Sequence, residues 1–466
     1  MFLAYENKNS DVIVEWKKPT HFPPHLHEAI EMVYVTKGTL ELGVGQELYH
    51  MEKGDFGVVF PNMIHHYQVF GNSESKALYM LISPKLIPNY MEEMQKYCPK
   101  LPVIVKEYLH TDIVKAVKTL PDVDKTNNRL MQAYVQMIFA HIFSEMEMME
   151  KENLDVVHVC TPNFAHFEVC KAAIEAGVNV YCEKPLANTT EETEELCTLA
   201  QKHNVLAAVN FNYRHNAVVQ DMRERVHSED WGRTFLIHGG YIQDWMMYDS
   251  DYNWRCTTTL GGPSRTIADI GSHWFDTVQF ITGKKIVKVY AKLMTVMPQR
   301  KKFTTQAATF QKQSGTEYEL VDINTEDGAF IMVELEDGTL GNLVVSQVSA
   351  GYKNGLVVNI DGSRYSMHWE QETPDRLYVG NREVGNTCVQ AAPDALRGMG
   401  AKYATLPSGH VVAWNDALRN AIGCFYSELR GIHNENFARF EDGHYIVKIV
   451  EACLASNQSG NWETVQ

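Results

Sequence analysis

The chain has 466 residues, of which 45% are hydrophobic and 21% charged; this length and composition indicate two or three globular domains. Its formal net charge of −16 disfavours broad binding to the phosphate backbone of a nucleic acid. The nine cysteines form no Cys-x-x-Cys pair, which indicates reduced thiols. The first thirty residues lack a signal-peptide pattern and no apolar run is long enough to span a bilayer, so we expect a cytoplasmic protein with no membrane partner.

The first 90 residues consist of β-favouring segments separated by glycine turns. "EMVYVTKGTLEL" and "GDFGVVFPNMIHHYQVF" show this pattern, which predicts a β-barrel or sandwich. Residues 127–150 then carry apolar side chains at helical spacing, which predicts a packing helix. These side chains are Leu130, Tyr134, Met137, Ile138 and Ile142. We place a first domain at residues 1–150, with helices at its C-terminal end.

Residues 151–215 alternate between predicted strands and predicted helices. The strands are "LDVVHVCTP", "VNVYCEKP" and "VLAAVNFNY". Because short links join strand to helix to strand, we expect parallel pairing in a doubly wound sheet. The second helix begins at "NTTEE", where an Asn or Thr caps the helix and acids follow in the first turn.

Residues 216–466 form a predicted third domain of the α+β type. Its strands include "TFLIHGGYI", "KIVKVYAKLMTV", "DGAFIMVELEDGTLGNLVVSQ" and "LVVNIDGSRYSMHW". Asp337-Gly338 and Asp361-Gly362 are predicted hairpin turns in a large, mostly antiparallel sheet. "WNDALRNAIGCFYSEL" and "GHYIVKIVEACLASNQ" are predicted amphipathic helices. The whole sequence thus predicts a multidomain chain that combines a β domain with α/β and α+β domains.

Three histidines and a glutamate in the β domain are spaced for a common pocket. His25 and His27 lie two apart, so on a strand they face the same side. Glu31 lies two alternations further along, and a later strand brings His65 to the same point. Imidazoles with a carboxylate suit Zn, Mn, Fe or Ni, but they equally suit a small polar ligand or hydrogen bonds within the barrel. We therefore predict a pocket and assign no metal to it.

The same stretch resembles the cupin superfamily, whose two motifs match at His25, His27, Glu31, Gly38, Gly54, Pro61 and His65. The glycine expected after the proline of the second motif is absent. Residues 1 to about 150 look more narrowly like the sensor domain of AraC-type regulators. That resemblance implies a barrel that binds a sugar or similar effector, often without metal. The family continues into two helix-turn-helix units, and we find none here, so we expect no nucleic-acid partner.

From residue 152 onwards, a series of motifs resembles the Gfo/Idh/MocA family of oxidoreductases. The motifs are Thr161-Pro162-Asn163, His166, Glu183-Lys184-Pro185, "NFNYRHN", Asn253-Trp254-Arg255 and "GGPSRTIADIGSHWFD". Each motif alone is weak, but the series in family order is specific. The resemblance implies NAD or NADP as the cofactor and a sugar, cyclitol or related polyol as the substrate.

The resemblance also implies roles for individual residues. Lys184, Asp269 and His273 match the family's catalytic residues, with His273 as the acid/base. By the same resemblance, the cofactor contacts Thr161, Pro162, Asn163, His166, Glu183 and Lys184. The substrate site is lined or supported by Tyr213, Arg214, Trp254 and Arg255.

The chemistry of the three catalytic candidates agrees with these roles. Hydride transfer from a carbinol needs a base for the hydroxyl proton and a cation near the developing oxyanion. A histidine such as His273 suits the first role at neutral pH. Asp269 and His273 lie four apart and share one face of a helix. Lys184 follows a buried strand, which places it at the carboxyl end of the sheet, where ligands bind.

A dinucleotide-binding fold begins with a strand and a Gly-x-Gly-x-x-Gly turn, and neither precedes "LDVVHVC". Residues 151–215 are therefore predicted to be only the second half of a Rossmann domain. Three functions remain open: an NAD(P)-dependent oxidoreductase, a non-catalytic sugar-binding sensor or fragment of an AraC-like regulator, and a metal-dependent cupin enzyme. Because the strand "VVHVC" loses its usual neighbour, it becomes an apolar edge, and we expect a homo-oligomer.

Overall fold

The computed structural model describes residues 4–5, 12–45, 47–69, 75–123, 128–150, 154–303, 317–433 and 436–465. The chain divides into two compact units, Met1–Leu154 (unit 1) and Asp155–Gln466 (unit 2). The predicted boundary at residue 151 falls on residues 151–153, outside the described ranges. Every helix in those ranges is too short or too polar to cross a membrane.

Unit 1 is built mainly from short strands. Its strands are β1 (Ala4–Tyr5), β2 (Val12–Lys17), β3 (Phe22–Leu26), β4 (Ile30–Lys37), β5 (Leu40–Val44), β6 (Glu47–Met51), β7 (Phe56–Val59), β8 (His65–Gln68), β9 (Lys76–Ile82), β10 (Tyr97–Pro99), β11 (Val103–Ile104) and β12 (Met148–Glu150). Its helices are α1 (Met91–Lys96), α2 (Thr111–Thr119) and α3 (Asn128–Glu145).

Within the described residues of unit 1, the strands form two five-stranded sheets, in the orders β1-β3-β8-β5-β6 and β11-β7-β4-β9-β2. Val33, Leu42 and Tyr67 belong to an apolar core formed by residues of both sheets. A second core joins residues of the second sheet, such as Ile30 and Phe56, to α2 and α3. The predicted β-rich N-terminal domain is confirmed.

The helix predicted over residues 127–150 is shorter than expected. It ends at Glu145, and residues 148–150 form β12, which pairs antiparallel with β10. Next to this pair, the amide of Lys100 donates to the carbonyl of Glu147 at 2.9 Å. The apolar spacing carries no signal for this end, because the strand partner lies about fifty residues earlier in the chain.

Unit 2 begins with alternating strands and helices and ends with a large sheet. Its strands are β13 (Val156–Val159), β14 (Asn179–Cys182), β15 (Ala207–Val209), β16 (Thr234–Ile242), β17 (Ile286–Met294), β18 (Gln299–Phe303), β19 (Tyr318–Asp322), β20 (Gly328–Leu335), β21 (Leu340–Ser346), β22 (Gly355–Gly362), β23 (Ser366–Glu370), β24 (Arg376–Gly380), β25 (Thr387–Gln390), β26 (Ala438–Arg439) and β27 (Glu463–Thr464). Its helices are α4 (His166–Glu175), α5 (Thr190–His203), α6 (Ala217–Val226), α7 (Thr258–Gly261), α8 (Ser272–Thr282), α9 (Gly398–Tyr403), α10 (Trp414–Leu429) and α11 (Phe440–Ser459).

The first sheet of unit 2 is the predicted parallel one. β13, β14 and β15 pair in parallel, and β26 adds an antiparallel strand at the far side. Thr189 caps α5: its hydroxyl accepts from the amide of Glu192, whose carboxylate accepts from the amide of Thr189. β13 is the opposite edge strand of the sheet in the described residues. The homo-oligomer expected from this edge stays a prediction.

The second sheet of unit 2 has the order β25-β24-β23-β22-β16-β21-β20-β17-β27 among the described residues. Only β16 and β21 run parallel in it, so the expected mostly antiparallel sheet is confirmed. Asp337-Gly338 turns between β20 and β21, as predicted. Asp361-Gly362 was predicted as a turn, and this is wrong: both residues end β22, and the turn follows at 363–365. Gly362 is needed there because a Cβ would meet the ring of Trp231.

Candidate active site and histidine cluster

A lysine–aspartate pair occupies the candidate site of unit 2. Lys184 follows β14, and its Nζ donates to Oδ1 and to the backbone carbonyl of Asp269, both at 2.7 Å. The other carboxylate oxygen of Asp269 accepts from Nε2 of Gln347 at 2.9 Å. Burial raises the pKa of Asp269, but the charges of Lys184 and Arg255 outweigh burial and hold that pKa well below its usual range. Asp269 is therefore a fixed carboxylate beside the ammonium group of Lys184.

His273 stands next to this pair because of an irregular helix start. Residues Ile267–Gly271 form a π-helical turn that runs directly into α8, a feature that recurs at functional sites. The imidazole is 7% exposed, and its Nδ1 is buried without a hydrogen-bond partner among the described residues. Burial, followed by the charge of Lys184, lowers the pKa of His273 well below its usual value. The imidazole is therefore neutral at pH 7, the form that accepts a proton.

Glu183 is held at the carboxyl edge of the parallel sheet. Its Oε1 accepts from Nδ2 of Asn210 at 2.7 Å, and Oδ1 of Asn210 accepts from the hydroxyl of Tyr181 at 2.8 Å. Its Oε2 accepts from the amide of Lys184 at 3.2 Å. These bonds fix the Glu183–Lys184 pair at the sheet edge where ligands of such folds bind. Asn210 and Tyr181 were not singled out from the sequence.

Thr161, Pro162 and Asn163 follow β13 at the same sheet edge, and a 3₁₀ turn over Asn163–Ala165 leads into α4. The ring nitrogens of His166 lie 2.8 Å from the carbonyl oxygens of Pro185 and Thr161, which ties this loop to the loop after β14. The hydroxyl of Thr161 is buried without a hydrogen-bond partner in the described chain. A buried polar atom without a partner is rare in a folded protein and needs an explanation.

Tyr213 belongs to a network of hydroxyl and amide groups against His273. The rings of Tyr213 and His273 meet edge to face, with centroids 4.8 Å apart. The hydroxyl of Tyr213 lies 3.0 Å from that of Tyr241 and accepts from Nδ2 of Asn354 at 3.1 Å. Tyr213 was predicted, whereas Tyr241 on β16 and Asn354 before β22 were not singled out from the sequence.

Arg214 makes its described contacts away from the Lys184–Asp269 pair. Its Nε donates to Oδ1 and Oδ2 of Asp276 at 3.0 and 2.8 Å, and its Nη1 donates to Asp442 at 3.2 Å. Asp276 lies on α8, the helix that carries His273. By pairing with Asp276, Arg214 helps to hold α8, and with it His273, in position. In this arrangement Arg214 supports the site.

Trp254 and Arg255 form a stacked pair beside the cofactor loop. The guanidinium of Arg255 lies 4.3 Å from the ring centroid of Trp254, a cation–π distance. The ring of Trp254 in turn meets Phe164 edge to face at 6.4 Å. Since the charge of Arg255 also lowers the pKa of Asp269, Trp254 and Arg255 connect the turn that contains Phe164 to the acid of the site.

The pyrophosphate end of a dinucleotide finds no matching loop. No glycine occurs between Gly71 and Gly177, so the strand β13 is not preceded by the glycine turn that lets a pyrophosphate approach a helix N-terminus. The residues of unit 2 therefore fit the nicotinamide end of a cofactor and do not fit its pyrophosphate end in the usual way.

The predicted pocket of unit 1 contains the four predicted side chains. His25, His27, Glu31 and His65 are each at most 4% exposed, and their ligand atoms lie within 4.8 Å of one another. Oε2 of Glu31 lies 2.9 Å from Nε2 of His27 and 3.2 Å from Nε2 of His65. Its Oε1 accepts from the hydroxyl of Tyr67 at 2.7 Å. Tyr67 was missed in the sequence because it carries no ligand spacing.

Backbone carbonyls set the orientation of the three imidazoles. Nδ1 of His25, His27 and His65 lies 3.0, 2.9 and 2.9 Å from the carbonyl oxygens of Pro23, Ala29 and Met63. A carbonyl only accepts, so each Nδ1 carries a proton, and a neutral ring then has only a lone pair at Nε2. In His27 and His65 that lone pair faces a carboxylate oxygen, which also only accepts. A cation between these atoms resolves the conflict.

A second group of ligand-type side chains lies on α2 and α3. His110, Asp112 and His141 bring ligand atoms within 4.8 Å of one another, with their imidazoles stacked 3.9 Å apart. Nδ1 of His110 already accepts from the amide of Asp112 as the cap of α2. This group is more exposed than the first, and it serves below as the comparison site.

Family models match both units. The model described as an AraC-like ligand binding domain matches residues 12–151. The model of an oxidoreductase family with an NAD-binding Rossmann fold matches residues 103–211, and the GFO/IDH/MocA C-terminal domain matches residues 219–368. The chain belongs to the Gfo/Idh/MocA oxidoreductases and carries an AraC-like ligand-binding domain before them. Residues 103–150, which both N-terminal models match, fold in unit 1, where β11 pairs with β7.

Two relatives by sequence and one solved structure agree with this family. The chain is 29% identical over 54% of its length to the uncharacterized oxidoreductase YfiI of Bacillus subtilis, covering 60% of that protein. It is 26% identical over 68% of its length to levoglucosan dehydrogenase of Pseudarthrobacter phenanthrenivorans, covering 82% of it. A levoglucosan dehydrogenase solved with NADH and L-sorbose is 26% identical, with a TM-score of 0.60 over 67% of this chain and 80% of that one.

Proposed function

We propose that unit 2 is an NAD(P)-dependent oxidoreductase that acts on a hydroxyl group of a sugar, cyclitol or related polyol. The observation that carries this proposal is the buried, neutral imidazole of His273, whose Nδ1 lacks a partner in the described chain, beside the Lys184–Asp269 pair. A neutral base next to an ammonium group is the combination that alcohol oxidation requires. The family of the chain and the named activities of its relatives support the same reaction class.

In this proposal each residue has one task. His273 takes the proton of the substrate hydroxyl on its imidazole, and the ammonium group of Lys184 stabilises the developing oxyanion. Asp269, fixed by Gln347 and Lys184, keeps the ammonium group in place. Tyr213 and Trp254 supply hydroxyl and ring contacts for the polyol.

Thr161, Pro162, Asn163, His166, Glu183 and Lys184 are the residues proposed to hold the nicotinamide end of the cofactor. When bound, the nicotinamide ring accepts the hydride from the substrate carbon. Because no glycine turn precedes β13, the adenosine and pyrophosphate add little to binding. Discrimination between NAD and NADP depends on contacts to the ribose of the adenosine half. The affinities for the two cofactors should therefore differ little.

Cofactor binding tests this proposal directly. NADH and NADPH, titrated to millimolar concentration, are expected to shift nicotinamide fluorescence and quench tryptophan fluorescence, with similar affinities. Reduced nicotinamide mononucleotide, which lacks the adenosine half, is expected to bind about as well as NADH. Thr161→Val should weaken all three, whereas Thr405→Val, an exposed site, should not. Failure of all three nucleotides to bind at millimolar concentration would contradict the proposal. If they bind, measuring turnover of levoglucosan, L-sorbose and myo-inositol identifies the substrate.

We also propose that unit 1 binds a divalent transition metal through His25, His27, Glu31 and His65. The specific observation is that the Nε2 lone pairs of His27 and His65 face a carboxylate, as described above. Protons alone would need two buried imidazolium ions beside one carboxylate, whereas one divalent cation satisfies the same atoms. Ligands on opposite sides of such a cation lie about 4 Å apart, and the ligand atoms of the cluster all lie within 4.8 Å of one another. Nδ1 donation to a carbonyl is the usual support of a metal-bound histidine.

Elemental analysis checks the metal. Protein purified without chelator is expected to hold about one equivalent of Zn, Mn, Fe or Ni per chain. Glu31→Gln and His27→Ala should each lower the affinity by at least about 100-fold, because they remove a ligand. His141→Ala, in the half-buried group of His110, Asp112 and His141, should leave the metal content unchanged. Metal that is lost in His141→Ala but kept in His27→Ala would place it in the wrong group and contradict the assignment.

A further inference from the structure

The cavity beside the unit 1 histidine cluster has a composition that selects its ligand. Its volume is about 230 Å³. It is lined by Lys17, Lys18, Thr20, Phe22, His25, Glu31, Tyr67, Tyr79 and Leu81. Because His25 and Glu31 belong to the lining, a cation held by the cluster would face this cavity. The size suits a ligand of a single short carbon chain or one sugar ring, below the usual range for larger cofactors.

The charges around the cavity are positive once the cluster holds its cation. Glu31 is the only carboxylate in the lining, and its oxygens are already engaged by His27, His65 and Tyr67. Lys17 and Lys18, at the end of β2 and directly after it, are the remaining charged groups of the lining. Both are exposed, and Lys17 forms an ion pair with Glu15, which lies outside the lining. An anionic group on the ligand is therefore attracted both by the cation and by the two lysines.

Apart from the hydroxyl side chain of Thr20, the rest of the lining is aromatic or aliphatic. The ring of Phe22 packs edge to face on His25 with centroids 4.6 Å apart, and Tyr79 packs on Tyr67 at 5.2 Å. The hydroxyl of Tyr67 is used by Glu31, which leaves few groups in the wall to bind the many hydroxyls of a neutral polyol. This wall suits the carbon skeleton of a ligand whose polar end lies at the cation.

We propose that the unit 1 cavity selects a small carboxylate with an oxygen on the adjacent carbon, such as a sugar acid, over the neutral polyol of the same skeleton. The proposal rests on the metal site proposed above: the carboxylate and the adjacent oxygen occupy the open positions of the cation, and Lys17 and Lys18 balance the anionic charge. An α-hydroxycarboxylate offers the cation one charged carboxylate oxygen and one hydroxyl oxygen. A polyol offers it only neutral hydroxyl oxygens.

Calorimetry on the metal-loaded full chain tests this selection with D-gluconate and sorbitol, which share a six-carbon skeleton. Gluconate is expected to bind at least tenfold more tightly, and its affinity is expected to fall with added salt. The double variant Lys17→Ala/Lys18→Ala should weaken gluconate at least tenfold and leave sorbitol unchanged. The matched variant Lys53→Ala/Lys85→Ala removes two exposed lysines of the same unit outside the cavity, and it should bind gluconate as the parent does.

Two readouts separate this inference from the metal proposal. Full metal content with equal binding of gluconate and sorbitol, or with gluconate binding unaffected by Lys17→Ala/Lys18→Ala, overturns the ligand class and leaves the metal in place. Absence of metal, shown by elemental analysis, overturns the metal proposal. If gluconate then still binds in a manner that depends on the two lysines, the selection for an acid stands without the cation. If it does not bind, both proposals fail.

Discussion

Alanine in place of His273 is expected to reduce alcohol oxidation by about 10²–10⁴-fold, the usual contribution of a general base. The reason is that this imidazole is neutral, 7% exposed and adjacent to the Lys184–Asp269 pair. The measurement is nicotinamide reduction at saturating polyol. His410→Ala, which removes an exposed histidine of the same unit, is the matched control and should retain the parental rate. Parental activity in His273→Ala would remove this residue from the reaction.

The pH profile gives a second check on His273. Since burial lowers the pKa of His273, oxidation should not fall as the pH drops through about 6.5, where a free imidazole becomes protonated. Below that pH the unfolded chain binds a proton that the folded chain does not, so the free energy of unfolding should decrease on acidification. This decrease should be smaller in His273→Ala. A rate that titrates near pH 6.5 would show that the base is an exposed group instead.

Methionine in place of Arg214 is expected to lower the free energy of unfolding of unit 2 by about 3–5 kcal/mol, the usual result of breaking a buried ion pair from one side. Asp276 is 1% exposed and would lose the guanidinium that donates to both its oxygens. The double variant Arg214→Met/Asp276→Asn should recover part of the loss, because the carboxylate of Asp276 is then no longer left buried without its partner.

Urea denaturation followed by tryptophan fluorescence measures this change, since seven of the eight tryptophans lie in unit 2. Arg419→Met, which removes an exposed arginine paired with Asp416, is the control and should cost less than about 1 kcal/mol. If Arg214→Met instead leaves stability unchanged and raises only the polyol KM, Arg214 binds the substrate directly, as the family resemblance alone would suggest.

The sequence predicted the regular elements of unit 2 well, because each strand and helix carries its own local pattern. The apolar runs at β13, β14 and β15 and the cap at Thr189 are local signals, and all of them are confirmed. Where a boundary depends on a distant partner, the local pattern failed. The early end of α3 is set by the pairing of β12 with β10, and the end of β22 by the packing of Trp231 on Gly362.

The residues of the candidate sites also fall into two groups, those in sequence motifs and those brought to the site only by folding. Residues in motifs, such as Lys184, Asp269 and His273, could be named from the sequence. Gln347, Tyr241 and Asn354 were not singled out, because their contacts arise only when β16, β21 and β22 bring them to the site. Tyr67 and the two lysines of the unit 1 cavity were missed for the same reason. A single side chain on a strand has no spacing that distinguishes a site residue from an ordinary one.

By itself, the sequence determined the family of unit 2, the β architecture of unit 1 and the absence of a glycine turn before β13, because these are properties of residue order and spacing. Only the tertiary structure decided the chemical states of the sites. Burial lowers the pKa of His273, and the guanidinium of Arg214 pairs with the buried carboxylate of Asp276. The carbonyls of Pro23, Ala29 and Met63 turn three imidazoles towards one point. Desolvation and hydrogen-bond direction depend on neighbours brought together by folding, and no local pattern encodes them.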